Sequence, residues 1–270
     1  MYRDADQTTP PNGGARGVGR PWRSPRAGPP TRIAALDLGT NNCRLLVAVP
    51  REHGFRVVDA FSRIVRLGEG IGHTGRLGDA AMSRAVEALR ICGQKLAYRG
   101  VTRARLIATE ACRSAANGAD FVARVHDETG LELEIVSRET EARLAVAGCA
   151  SLVDPNSDGV ILFDIGGGSS ELVWLDLTEG GDGRRRPMSS RIREWVSLPV
   201  GVVSLSERHG GRDVTPTQFE AMVAEVADML AAFPNGHVLD AAVAAGAVHM
   251  LGTSGTVTTL AGVHLDLPRY

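Results

Sequence analysis

Two stretches of the chain set a carboxylate beside a turn of small hydrogen-bonding residues. They are Asp37-Leu38-Gly39-Thr40-Asn41-Asn42 and Asp164-Ile165-Gly166-Gly167-Gly168-Ser169-Ser170-Glu171. The turn N–H groups, with the hydroxyls and amides of Thr40, Asn41, Asn42, Ser169 and Ser170, are donors suited to phosphate oxygens. Glycine at 39 and at 166, 167 and 168 would let such oxygens come close to the backbone. Asp37 and Asp164 are candidate ligands for Mg²⁺ or another divalent cation, directly or through water. Each turn alone also reads as an ordinary Asx turn between strands. The matched pair points further, to two half-sites facing across a cleft around a metal-bound phosphate chain. The triple glycine is the sharper signal, since each glycine costs roughly 0.5–1 kcal/mol of chain entropy against Ala.

Three other stretches could contribute. Gly252-Thr253-Ser254-Gly255-Thr256 joins an expected strand to an expected helix, placing Ser254, Gly255 and Thr256 where a helix N-terminus attracts anions. It has no Walker A lysine, and G-x-G-x-x-G is absent from the chain. Arg113, in Thr109-Glu110-Ala111-Cys112-Arg113, follows a buried strand and could project into the cleft as a phosphate-binding fork, or form a surface salt bridge. Glu139-Thr140-Glu141-Ala142-Arg143 opens a helix, where the dipole favours acids for structural reasons, so residue chemistry alone does not single out Glu141.

The elements that position these residues form a repeat. IAALDLGTNNCRLLV (33–47) and VILFDIGGGSSELV (160–173) align at one constant spacing, with Glu171 standing where the first copy has Arg44. Strands are expected at 33–38, 43–49 and 55–66, then a helix over 79–98 with Met82, Val86, Leu89, Cys92 and Leu96 on one face. A strand at 105–109, a helix through Phe121 and Val125 stopped by Gly130, a strand at 131–136 and a helix over 139–150 complete the first half. The second half restarts with strands at 160–165, 170–176 and 191–198 around a polar loop with Arg184–Arg186. A helix follows, capped by Thr215, Pro216 and Gln218, then a strand near 247–252 and a helix from about 256. On this pattern the second half lacks its last strand and helix, which would leave an unpaired sheet edge and an uncovered apolar face.

Composition bounds the function. Aromatic residues make up 4% and hydrophobic ones 43%, so the core must be built of Val, Leu, Ala and Ile, as in α/β layers. A net charge of −1 gives no global attraction to a nucleic-acid polymer or an anionic membrane, and no apolar run reaches the ~20 residues of a span. Cys43, Cys92, Cys112 and Cys149 are scattered and the histidines show no ligand spacing, which implies a reduced, cytoplasmic setting without structural zinc. Residues 1–30, rich in Pro, Gly and Arg with no apolar segment, read as a disordered tail and not a secretory signal.

In these motifs the chain resembles the exopolyphosphatase/guanosine-pentaphosphate phosphatase (Ppx/GppA) family of the actin-like ATPase superfamily. The resemblance runs from Ile33 to Tyr270 through ALDLGTNNCRLLVA, VRLGEGIGHTGRL, ATEACRSAANGADF, LEIVSRETEARLAV, LFDIGGGSSELV, WVSLPVGVVSL and LGTSGTVTTLAG. It implies two ribonuclease H-like domains of the actin/Hsp70/sugar-kinase type, at 31–150 and 151–270, with an interdomain cleft and the second domain incomplete. It implies Glu141 as the catalytic base for water, Asp164 and Glu171 as acids assisting with Mg²⁺ and water, and Arg113 and the turns as phosphate binders. The implied ligand is inorganic polyphosphate or guanosine pentaphosphate, and a homodimer is compatible with it. Thr40 and Asn42 stand where the family has serines, Cys43 where it has Phe, and Thr140 where it has Glu. Family members also continue past LPRY, so the chain resembles a partial member. A small-molecule kinase of the same superfamily and a non-catalytic polyphosphate or nucleotide sensor are the rival readings.

Overall fold

Alternation along β1 (Ile33–Leu38) turns Ala34, Leu36 and Leu38 into the core and leaves Asp37 on the opposite face. Antiparallel β2 (Asn42–Pro50) does the same with Cys43, Leu45 and Val47 inward, so that Arg44 stands opposite Asp37. β3 (Phe55–Ile64) closes the meander. The computed structural model describes residues 31–178, 187–211, 213–231, 240 and 243–268. The expected tail at 1–30 and the basic loop tip at 184–186 lie outside the described residues.

Helix α1 (Ile71–Thr74) is a single turn, and α2 (Asp79–Tyr98) matches the expected helix end to end. Its buried Val86, Leu89 and Cys92 pack on β1 and β2, together with Phe121 and Val125 of α4 (Gly118–Thr129). Each such side chain contributes roughly 1.5–3 kcal/mol of burial. Gly130 ends α4 in the left-handed region, its N–H donating to His126 O at 2.8 Å. Between β4 (Arg103–Ala108) and α4 the chain makes a five-residue helix, α3 (Glu110–Ser114). The strand expected at 131–136 shortens to β5 (Glu134–Ile135), giving a first sheet in the order β3-β2-β1-β4-β5.

Helix α5 (Arg138–Cys149) is capped by Ser137, whose hydroxyl accepts from the Thr140 N–H. Its buried Ala142, Val146 and Cys149 do not return to the first sheet. They join Val160, Leu162, Val173 and Leu175 of the second. That sheet repeats the first topology: β6 (Gly159–Ile165), β7 (Ser170–Asp176) and β8 (Ile192–Leu198) as a meander, with β9 (Val248–Thr253) parallel to β6. Asp164 stands opposite Glu171, as Asp37 stands opposite Arg44. The repeat in sequence is thus a repeat in register.

Helix α6 (Val202–His209) was not expected: no element was assigned between the strand at 191–198 and Thr215, and β-branched Val202 and Val203 are weak helix formers. Its start is fixed by the Gly201 N–H donating to Ser204 Oγ at 2.9 Å. Helix α7 (Pro216–Ala231) begins with the expected reciprocal cap between Thr215 and Gln218. Helix α8 (Ser254–His264) starts directly after β9, two residues earlier than expected. Among the described residues the second sheet has four strands where the first has five, and Met250, Val263 and Leu265 are exposed. No described helix is long and apolar enough to cross a membrane.

Candidate functional site

The two hairpins meet. A narrow pocket of about 80 Å³ is lined by Asp37, Gly39, Thr40, Asn41, Asn42 and Arg44 from the first and by Asp164, Gly166, Gly167, Gly168, Ser169 and Glu171 from the second. Thr109, Glu110, Glu141 and Ser254 complete its wall. The space suffices for a few waters or one phosphoryl group. It opens onto a chamber of about 510 Å³ that shares Asn41, Asn42, Arg44, Gly166, Gly167 and Ser254 and adds Ile64, Val202, Thr259 and Leu260.

Each turn is held from outside by its carbonyls. Thr40 O accepts from Gly68 N–H, and Asn41 O accepts from Val65 and Arg66. The first N–H groups of α6 do the same for the second turn: Val202 donates to Gly166 O, and Val203 and Ser204 donate to Gly167 O. Among the described residues, the N–H groups of Thr40, Asn41, Gly167, Gly168 and Ser169 donate to no protein acceptor. Turns tied at their carbonyls with N–H groups left over make an anion-binding concavity.

The glycine run answers to space, not to backbone sign, since none of Gly166, Gly167 and Gly168 has a positive φ. A Cβ at Gly168 would lie 2.8 Å from Thr40 Oγ1 and 3.2 Å from Glu110 Cγ, and one at Gly167 3.0 Å from Thr40 Cβ. Glycine therefore lets the second turn press against the first.

Five buried or half-buried carboxyls line the pocket, Glu110 among them, and burial raises the pKa of Asp37, Asp164, Glu171 and Glu141. Asp37 is pushed up to about 6, with nearby Arg44 opposing burial and Asp164 reinforcing it. Asp164 is raised by burial against the Ser254 hydroxyl and Arg44. Glu171, 2% exposed, is raised by burial while the Ser197 hydroxyl, donating to Oε1 at 2.8 Å, and Ser169 oppose it. Glu141 is pushed up to about 7, chiefly by burial and then by Glu171, with Arg113 pulling the other way. Glu141 sits in the first turn of α5, where that helix crosses towards the second sheet.

Not every expected residue reaches the pocket. The Ser170 hydroxyl donates to Val200 O at 2.7 Å and the Thr256 hydroxyl to Ile165 O at 3.1 Å. Gly255 and Thr256 line the chamber instead. Arg113 stands behind Glu141, bonded to it and to Glu110. Ser254 adopts φ 76°, a strained left-handed conformation for a serine, at the edge of the pocket.

Three pocket residues were not anticipated, Arg44, Thr109 and Glu110. Arg44 lines both spaces, and its guanidinium makes no hydrogen bond to protein among the described residues. Its signal was available in the repeat, which sets it opposite Asp37. Glu110, 7% exposed, accepts from Arg113 and Arg138, and nothing in the local sequence marks it.

Among the described residues, no group of three or more His, Cys, Asp or Glu could by itself hold a metal ion. Asp37 and Asp164 offer two carboxylates, which suits Mg²⁺ only as it is usually bound, with substrate phosphates and water filling the remaining positions.

Residues 46–266 match the family described as the Ppx/GppA phosphatase family. Among solved structures, an exopolyphosphatase-like protein is 31% identical over 89% of this chain and 71% of its own, with a TM-score of 0.73. A Ppx/GppA family member from Aquifex aeolicus is 28% identical over 90% of this chain and 72% of its own, with a TM-score of 0.66. An exopolyphosphatase from Cytophaga hutchinsonii, 24% identical over 89% and 73% of the two chains, has the same fold at a TM-score of 0.73.

Proposed function

Because this chain belongs to the Ppx/GppA phosphatase family, with an α/β fold related to the actin/Hsp70-like superfamily, we propose that it is a phosphohydrolase of that family. Its reaction would release the terminal phosphate of inorganic polyphosphate, convert guanosine pentaphosphate to the tetraphosphate, or do both. One observation carries this reading: a single narrow pocket combines unpaired turn N–H groups from two hairpins with a glutamate titrating near neutrality.

The terminal phosphoryl group would lie in the pocket, its oxygens on the N–H groups of Thr40, Asn41, Gly167, Gly168 and Ser169. The remainder of the substrate would extend past Arg44 into the chamber. Glu141 takes a proton from water as the water oxygen bonds to phosphorus and the bridging P–O bond breaks. Among the described residues Glu141 is bonded to protein only at Oε2, which leaves Oε1 for the water. Glu171 and Asp164 hold and orient that water from the second hairpin. Mg²⁺, held by Asp37 and Asp164, would supply charge neutralisation for the phosphate oxygens. The residues around it supply positioning and electrostatics, on which phosphoryl transfer mainly depends.

In this reading the two sheets act as two domains, 31–150 and 151–270, about the pocket. The four cysteines are free and buried, in keeping with a reduced cytoplasmic setting. The test is phosphate release from polyphosphate and from guanosine pentaphosphate, with and without Mg²⁺. Binding without release would make the protein a sensor, and transfer to a sugar hydroxyl would make it a kinase.

A further inference from the structure

The Arg113 guanidinium has five N–H donors, and the structure spends four of them on its own neighbours. Nε and Nη2 both reach Glu110 Oε2, at 3.1 and 2.6 Å. Nη2 also donates to Glu141 Oε2 at 2.9 Å, and Nη1 to Val136 O at 2.6 Å. Glu110 is itself anchored from the other side, where Arg138 Nη2 donates to Oε1 at 2.9 Å. Arg138 begins the helix that carries Glu141 three residues later. The network thus joins α3 to the start of α5: Arg138 holds Glu110, Glu110 holds Arg113, and Arg113 holds one oxygen of Glu141.

A guanidinium so engaged has little left for a phosphate, and Arg113 does not line the pocket. Charge-assisted bonds of this fork geometry are strong and directional. Resting on the hydrolase reading above, we propose that Glu110 is a positioning residue: it clamps Arg113 so that the guanidinium fixes the Glu141 carboxylate by Oε2 and leaves Oε1 for the attacking water. Arg113 then acts through Glu141 and not as a phosphate ligand. Glu110 lies within the pocket wall but, with Oε1 and Oε2 both taken by arginines, it has no part in the chemistry itself.

The first arm of the test needs no activity. In arginine-labelled protein, the Arg113 Nε–H resonance should exchange slowly with water, and Glu110→Gln should speed that exchange about tenfold or more. Glu141→Gln, which alters only one of the two partners of Nη2 and none of Nε, should leave it slow. Equal exchange in wild type and Glu110→Gln overturns the clamp.

The second arm is kinetic. Glu110→Gln should lower kcat about tenfold or more with KM within about twofold, the pattern of an interaction made only in the transition state. On a Glu141→Gln background it should cost nothing further, since both changes act through one group. A rise in KM with unchanged kcat would return Arg113 to phosphate binding, and an additive loss would make Glu110 merely structural; either overturns the proposal. If Glu110→Gln does not fold, Arg138→Gln, at a half-exposed position, replaces it, with a smaller kcat loss of the same pattern. Wild-type protein that releases phosphate from neither substrate sinks the proposed function, and the exchange arm alone then decides whether Glu110 holds Arg113.

Discussion

Replacing Glu141 by Gln keeps the side-chain shape and removes its capacity to take a proton. General-base catalysis contributes about 10²–10⁴-fold, so the variant should lose roughly 3–5 kcal/mol of transition-state stabilisation. The structure adds a pH dependence to that magnitude. Burial and Glu171 raise the Glu141 carboxyl to about 7. A base must be ionised, so about a tenth of the protein would be competent at pH 6 and about nine-tenths at pH 8. Wild-type kcat should therefore rise about tenfold across that interval, with its midpoint near 7, and the residual activity of Glu141→Gln should not follow it. The assay is single-turnover phosphate release from guanosine pentaphosphate and from polyphosphate at saturating Mg²⁺, in buffers of constant ionic strength. Ligand affinity, measured separately by calorimetry, should change little. Activity of Glu141→Gln within a few-fold of wild type, or a wild-type profile flat from pH 6 to 8, would remove Glu141 from the mechanism.

Gly167→Val puts a branched side chain where even a Cβ meets Thr40 at 3.0 Å, so it should force the hairpins apart. Overpacking of about 1–3 kcal/mol translates into phosphate binding weaker by roughly five- to 150-fold, checked by calorimetry on folded protein; unchanged affinity would make the glycine run a simple turn. Asp37→Asn should lose activity and gain stability. Burial pushes the carboxyl up to about 6 in the folded chain from the ordinary 3.8, so it costs nothing below 3.8 and an increasing penalty as pH rises towards 6. Melting curves should coincide near pH 4 and favour the Asn variant by about 1–3 kcal/mol at pH 8; a variant less stable at pH 8 refutes the sign. Chelation of divalent cations should bring phosphate release to background, and Asp37→Asn should raise the Mg²⁺ concentration needed to restore it. Release indifferent to EDTA would dismiss Asp37 and Asp164 as the cation's holders.

The elements that carry these residues were largely legible in the sequence because their signals are local. Helix α2 declares itself by the spacing of Met82, Val86, Leu89 and Cys92, α4 by its stop at Gly130, and α7 by the Thr215–Gln218 cap. The duplicated hairpin was legible as a repeat, with Asp164 and Glu171 in the places of Asp37 and Arg44, and the structure adds that the two members of each pair face each other. Helix α6 escaped notice because β-branched Val202 and Val203 are weak helix formers, and what makes them helical is a contact distant in sequence, their N–H groups meeting the Gly166 and Gly167 carbonyls.

By itself, then, the sequence determined the repeated strand–turn–strand frame and the residue types at each turn, since period, glycine and cap chemistry act over a few residues. Tertiary structure alone decided which donors remain unpaired. The Ser170 and Thr256 hydroxyls are spent on backbone carbonyls, whereas Arg44 stays unbonded to protein among the described residues. It also decided the electrostatics. A carboxylate's pKa depends on how much water it loses and which charges surround it, and Glu141 acquires both only when α5 crosses to the second sheet and meets Glu171.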